Sequence, residues 1–138
     1  MDHNIAIGME KERTIKTNSN QTTSFLWEGE NVLSTPSMIS EMEETCRLII
    51  KESFTSDSEK WDSVGTLVNI KHLAATPVGS KVHFKAKVKS IDGFRILFDV
   101  SAFDDLEKIG EGTHERFIIN ILRFKSKFED KKRKLNIL

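Results

Sequence analysis

With 138 residues, and with 21 basic side chains against 21 acidic ones, the chain has room for one core. It carries no large electrostatic footprint for nucleic acid. Its one cysteine, Cys46, cannot form an internal disulfide and fits a reducing compartment. No apolar run reaches the length of a membrane span or a signal-peptide core, so the expectation is a cytoplasmic protein that engages neither nucleic acid nor membrane.

In chain order, residues 10–25 (EKERTIKTNSNQTTSF) are polar with a Thr-rich alternation that predicts one or two short edge strands. Residues 27–34 (WEGENVLS) read as a loop leading into a helix. Thr35 is the expected N-cap, with Pro36 at the first helical position, where a missing N–H costs nothing. Met38, Ile39, Met42, Cys46, Ile49 and Ile50 then fall at helical spacing, and the helix is expected to end near Ser53. Glu43 borders this stripe, and its simplest reading is an ion pair with Arg47 four residues on.

Beyond a polar loop at 55–60, residues 64–74 alternate as a strand. Counting back from His72 by twos gives Ile70, Val68, Thr66 and Val64, so His72 is expected on an apolar face. Gly65 signals a bulge or a close backbone approach. Residues 80–90 place Val82, Phe84, Ala86 and Val88 inward, and His83 outward with Lys81, Lys85, Lys87 and Lys89. Asp92-Gly93 predicts a two-residue hairpin. The next strand carries Phe94, Ile96, Phe98, Val100 and Ala102 on one face. Residues 104–112 read as a connection, and 113–124 (THERFIINILRF) as a last strand, central or at an interface because it is apolar on both faces. The domain is thus expected over 1–124. Residues 125–138 form a charged, frayed tail whose run Lys131, Lys132, Arg133, Lys134 is solvated.

One amphipathic helix followed by an antiparallel sheet predicts an α+β fold with the sheet wrapped around the helix. The stripe is too narrow to cover so much apolar sheet, which points to a homodimer.

Few motifs carry chemistry. Gly110-Glu111-Gly112 lacks the third glycine and the helix of a dinucleotide fingerprint, and no Gly-x-Ser-x-Gly elbow exists. No His/Cys set has metal-ligand spacing, so neither metal nor cofactor is expected. His114-Glu115 is a dipeptide whose side chains point to opposite strand faces. What remains is Thr35 at a helix N-terminus, Glu43 two turns further on, and His72 on the sheet. A hydroxyl, a carboxylate and an imidazole are able to activate water or a hydroxyl for acyl transfer if they converge.

Several stretches carry a resemblance. HLAATPVG (72–79), VGT (64–66) and IGEGTHERFII (109–119) resemble the fluoroacetyl-CoA thioesterase family of hot-dog-fold proteins, and STPSMISEMEETC (34–46) resembles its central helix. The similarity runs from about residue 5 to residue 124. It implies a curved antiparallel sheet around one helix, a dimer with sites near the interface, and hydrolysis of an acyl-CoA or other acyl thioester. The family's catalytic threonine, glutamate and histidine fall on Thr35, Glu43 and His72; its strand glycine falls on Gly65, and its site arginine on Arg116. Two features depart from the family. The segment before the helix, FLWEGENVLS (25–34), is short and lacks paired phenylalanines, which weighs against fluoroacetyl selectivity. Pro36 stands where the family has a backbone N–H just after the threonine, which keeps open a protein that binds a thioester without turning it over. A hydratase of the same fold is disfavoured, because its Asp/His helix pattern is absent.

Overall fold

The computed structural model describes residues 1–138. Strand β1 (Glu10–Lys16) precedes helix α1 (Thr35–Ser53). Four strands follow: β2 (Trp61–His72), β3 (Lys81–Asp92), β4 (Arg95–Phe103) and β5 (Lys108–Asn120). Helix α2 (Ile121–Lys134) ends the chain. The five strands form one sheet, ordered β1-β3-β4-β5-β2, with every neighbouring pair antiparallel. β1 and β2 are the edges, and β5 lies centrally, as its two-sided apolar character predicts.

The core is the contact between α1 and one face of this sheet. Met38, Met42, Cys46, Ile49 and Ile50 are buried on the helix; Val82, Phe84, Ala86, Val88, Ile96, Phe98, Val100 and Ala102 are buried on β3 and β4. α1 touches all five strands, as a helix held in a curved sheet must. At Gly110 a Cβ would come within 2.6 Å of Met38 Sδ, so any larger residue on this strand obliges the Met38 side chain to move for the helix to seat. This is the hot-dog arrangement the resemblance implies.

Local differences from the sequence reading have physical causes. The N-cap of α1 is Ser34, whose Oγ accepts from the Ser37 N–H; Thr35 is the first helical residue and Pro36 the second. The hairpin turn is Gly93-Phe94, flanked by the pair Asp92–Arg95. Gly93 sits at φ +61°, the positive φ that a type II′ turn requires at its first central residue. That leaves Phe94 at the turn, off the buried row. The β4–β5 connection is only residues 104–107, because Gly110 and Gly112 lie within β5. The strand expected to run to residue 124 ends at Asn120, whose side chain accepts from the Arg123 N–H and starts α2. The tail expected to fray is therefore largely helical.

The difference that matters most lies in β2. Its register with β5 slips between Gly65 and Leu67, a β-bulge at Thr66. Val68, Ile70 and His72 share the inner face as expected. Upstream of the bulge the phase inverts: Ser63 and Gly65 turn inward opposite Ile118 and Arg116, and Val64 turns outward beside Phe117. His83 stays on the outer face, between Thr14 Oγ1 and Asp105 Oδ1, each at 2.8 Å.

Candidate active site

Because Ser34 serves as the cap, the Thr35 hydroxyl is not needed for capping. It lies 2.7 Å from His72 Nδ1, at the point where the last residue of β2 reaches the first turn of α1. Both side chains line an open, mainly apolar cavity of ≈ 390 Å³, with Phe25, Leu26, Val32 and Leu73 among its walls. His72 Nε2 is buried without a hydrogen-bond partner. Burial pushes the His72 pKa down, and a backbone contact with Ala74 offsets this only in part, so the ring stays neutral below the usual histidine range. A neutral imidazole against a hydroxyl is the arrangement of a base poised on an oxygen nucleophile.

The first turn of α1 also holds a free donor. Pro36 has no N–H, the Ser37 N–H is taken by Ser34 Oγ, and the Met38 N–H by the Ser34 carbonyl. The Thr35 N–H is left unpaired, at the positive end of the helix dipole.

Glu43 lies elsewhere. Eight residues along α1 is about 12 Å, and no hydrogen bond or ion pair joins Glu43 to Thr35 or His72. Its expected partner is occupied too: Arg47 pairs with Glu44 (3.0 Å) and with Asp62 (2.8 Å). Glu43 belongs instead to a second cluster beneath the bulge. Its Oε1 is 3.9 Å from His114 Nε2. A Cβ on Gly65 would lie 3.0 Å from the same oxygen, and 3.1 Å from His114 Cε1, so the missing side chain of Gly65 is what gives the carboxylate its place.

Arg116, buried in this cluster, donates from Nε to Ser63 Oγ (2.8 Å), from Nη2 to the Ser63 carbonyl (2.8 Å) and from Nη1 to His114 Nε2 (3.1 Å). A guanidinium only donates, so His114 Nε2 accepts and its proton resides on Nδ1, which donates to the Leu67 carbonyl at 2.7 Å. Burial, helped by the positive Arg116, holds the His114 pKa down despite the opposing Leu67 carbonyl and Glu43 and Glu115 carboxylates. Arg116 is itself lowered by burial, with Glu43 opposing. Burial also raises the Cys46 thiol far above its usual range, so it stays protonated and inert.

The structure thus brings Thr35 to His72, and Glu43 to Gly65 and Arg116, as two separate groups within one chain. Sequence reasoning missed His114 and Ser63. Counting back by twos from the inward Ile118 reaches Arg116 and then His114, so that signal was present; Ser63 was hidden by the bulge.

Comparison with known proteins gives the family. The model of the family described as fluoroacetyl-CoA-specific thioesterase matches residues 17–121. A fluoroacetyl-CoA thioesterase of Streptantibioticus cattleyicolor is 42% identical over 69 residues, a stretch covering 50% of this chain and 50% of that relative. The solved structure of the fluoroacetyl-CoA thioesterase FlK superposes with a TM-score of 0.83 at 29% identity, over 93% of this chain and 98% of that one. A thioesterase-superfamily member from Thermus thermophilus shares the fold at 24% identity and a TM-score of 0.85, over 96% and 97%. With about three quarters of its length and both of its site clusters inside the matched region, the chain belongs to the fluoroacetyl-CoA-specific thioesterase family.

Proposed function

We propose that this protein is an acyl-CoA thioesterase, hydrolysing a small acyl thioester to the free acid and CoA thiol. The observation that carries the reading is the 2.7 Å contact between Thr35 Oγ1 and His72 Nδ1 at the wall of an apolar cavity. Neutral His72 takes a proton from the attacking oxygen, and after the tetrahedral intermediate collapses it returns one to the leaving thiolate. The unpaired Thr35 N–H is the nearest donor for the developing oxyanion. The attacking oxygen is that of Thr35 or of a water held against it, and the two routes differ in one observable: attack by Thr35 leaves the acyl group esterified to the protein until a water, deprotonated by His72, attacks the ester, releases the free acid and restores the hydroxyl.

Glu43, Gly65 and Arg116 enter this reading through a dimer. β2 is an open edge with Leu67 and Val68 exposed along it. Antiparallel pairing of this edge with a second copy, about an axis near Leu67, sets the start of β2 alongside His72 of the partner subunit. The Thr35–His72 pair of one protomer then faces the Glu43 cluster of the other, and each site draws on both chains. Glu43 makes no hydrogen bond within its own chain, which suits a group that awaits a partner or substrate. Support for a thioester ligand comes from the relative FlK, whose variant has been solved with fluoroacetate and CoA. The walls formed by Phe25 and Leu26 suit a small apolar acyl group, and the short segment 25–34, without paired phenylalanines, weighs against selectivity for fluoroacetyl.

The competing reading, a protein that binds a thioester without turnover, is favoured by one observation: Pro36 removes a backbone N–H from the helix start. The test is thiol release from a panel of short, branched and aromatic acyl-CoAs, wild type beside His72→Ala. Hydrolysis that disappears in the variant supports the enzyme. Ligand-dependent thermal stabilisation without thiol release supports the binder.

A further inference from the structure

Helix α2 buries none of its residues. Ile121, Phe124, Phe128 and Leu135 recur at spacings of three, four and seven, one stripe on a helix turning about 100° per residue. Phe124 is 44% exposed, Phe128 59% and Leu135 58%. The stripe runs into an apolar groove of ≈ 520 Å³ between α2 and the outer sheet face, walled by Val64, Phe94, Phe117 and Phe124.

Charge is segregated in the same place. α2 holds seven cations and two acids, a net +5, while the rest of the chain, with 14 cations and 19 acids, carries −5. Lys125 and Lys132 flank the stripe on one side, Lys127 and Lys131 on the other.

Ion pairing separates this helix from the sheet it leans on. Most outer-face cations are matched: Lys85 and Lys87 to Glu10, Lys89 to Asp99, Arg95 to Glu115 and Lys108 to Glu111, at 3.2–3.8 Å; Lys16, Lys71 and Lys81 near the sheet edges are not. On α2 only Arg133 and Lys134 find an acid, Asp130. Arg123, Lys125, Lys127, Lys131 and Lys132 have none within 4.0 Å. A second copy of this chain offers an outer face whose acids already hold lysines and arginines. A nucleic acid gives the Ile/Phe/Leu stripe no apolar surface to enter. An apolar stripe with lysines along both borders fits a surface that is apolar below and anionic above.

We propose that α2 is a membrane-surface anchor. It lies in the headgroup layer of an anionic bilayer, with Ile121, Phe124, Phe128 and Leu135 entering the acyl boundary and the flanking lysines on lipid phosphates. No helix of the chain is long and apolar enough to cross a membrane, so the contact is peripheral. The inference does not depend on the thioesterase reading, because none of these side chains belongs to either site cluster.

The experiment is co-flotation of the full chain with vesicles of phosphatidylglycerol and phosphatidylcholine in equal parts, beside pure phosphatidylcholine vesicles. Sedimentation velocity on the same samples reports the oligomeric state. The expected result is at least about tenfold stronger partitioning to the anionic vesicles, abolished near 1 M salt. Lys125→Glu/Lys132→Glu should weaken it by roughly tenfold or more. Phe124→Ser/Phe128→Ser should abolish it while leaving the oligomeric state and the circular dichroism unchanged. Equal partitioning to both vesicle types, or none, overturns the proposal. So does a Phe124→Ser/Phe128→Ser protein that dissociates when the wild type ignores vesicles, which assigns the stripe to a second copy.

Discussion

Thr35 and His72 are 37 residues apart in the chain and 2.7 Å apart in space, joined hydroxyl oxygen to ring nitrogen. The contact exists because Ser34 caps α1 and leaves Thr35 unengaged.

Removing the hydroxyl tests this relationship. Thr35→Val, close in shape, should lower kcat by roughly 10²–10⁴ with a small change in melting temperature, while Thr35→Ser retains part of the rate. Intact-protein mass spectrometry during turnover then finds an acyl adduct on the wild type if Thr35 attacks, and none if water does. A Thr35→Val enzyme with undiminished thiol release removes Thr35 from the mechanism.

The pH profile of kcat/KM tests His72. Its pKa is held below the usual 6.5, chiefly by burial. The acidic limb should therefore fall below pH 6.5, where protonation removes the base. A limb above that value assigns the titration to another group.

Mixing inactive partners tests whether sites are shared. His72→Ala and Glu43→Gln homodimers should each be nearly inactive, and both should stay folded. Subunit exchange between them rebuilds one intact site per heterodimer and recovers about one quarter of wild-type activity in an equal mixture. No recovery, with exchange confirmed by mass, places each site within one chain.

His114 links the second cluster to stability. Its folded pKa lies below the 6.5 of the unfolded ring, so the unfolded state binds the proton more readily. The stability that comes from keeping the ring neutral is full above pH 6.5 and is lost as pH falls through the folded value. Melting temperature should decline between about pH 7 and pH 5, and more gently in His114→Gln. His72, shifted in the same direction, leaves that variant a residual slope. Identical slopes in the two proteins remove His114 as a source.

Gly65→Ala probes the space beneath the bulge. A Cβ there meets the Glu43 carboxylate at 3.0 Å, a distance a flexible side chain can relieve by moving. Turnover should drop at least tenfold while the melting temperature changes little. A large loss of stability with normal turnover in the surviving fold means the glycine serves packing alone.

Much of this was legible in residue order. The span of α1 followed from a period of 3.6 closed by a polar loop, and the opposite placements of His72 and His83 followed from strand alternation. What failed to read through depended on single-residue geometry or distant partners. Ser34 and Thr35 are both accepted cap types, and Pro36 fits the first turn after either, so spacing alone does not separate them. Arg47 was matched to Glu43 by spacing along the helix, yet Asp62 from β2 and its neighbour Glu44 hold it instead. The basic run hid α2, because alternation and charge are read over short windows while the Ile121–Leu135 stripe spans four turns.

Thr66 shows what an irregular strand can accomplish. Continued without a break, the alternation from His72 would turn Thr66 and Val64 toward α1, giving a more ordinary and more apolar inner face. The extra residue instead shifts the strand by half a period, and a serine and a glycine take those inner positions. Ser63 grips Arg116 there, and Gly65 leaves Glu43 its room. A deletion at this point would produce a chain that looks better made as a sheet protein, yet lacks the polar chamber that the proposed shared site would use.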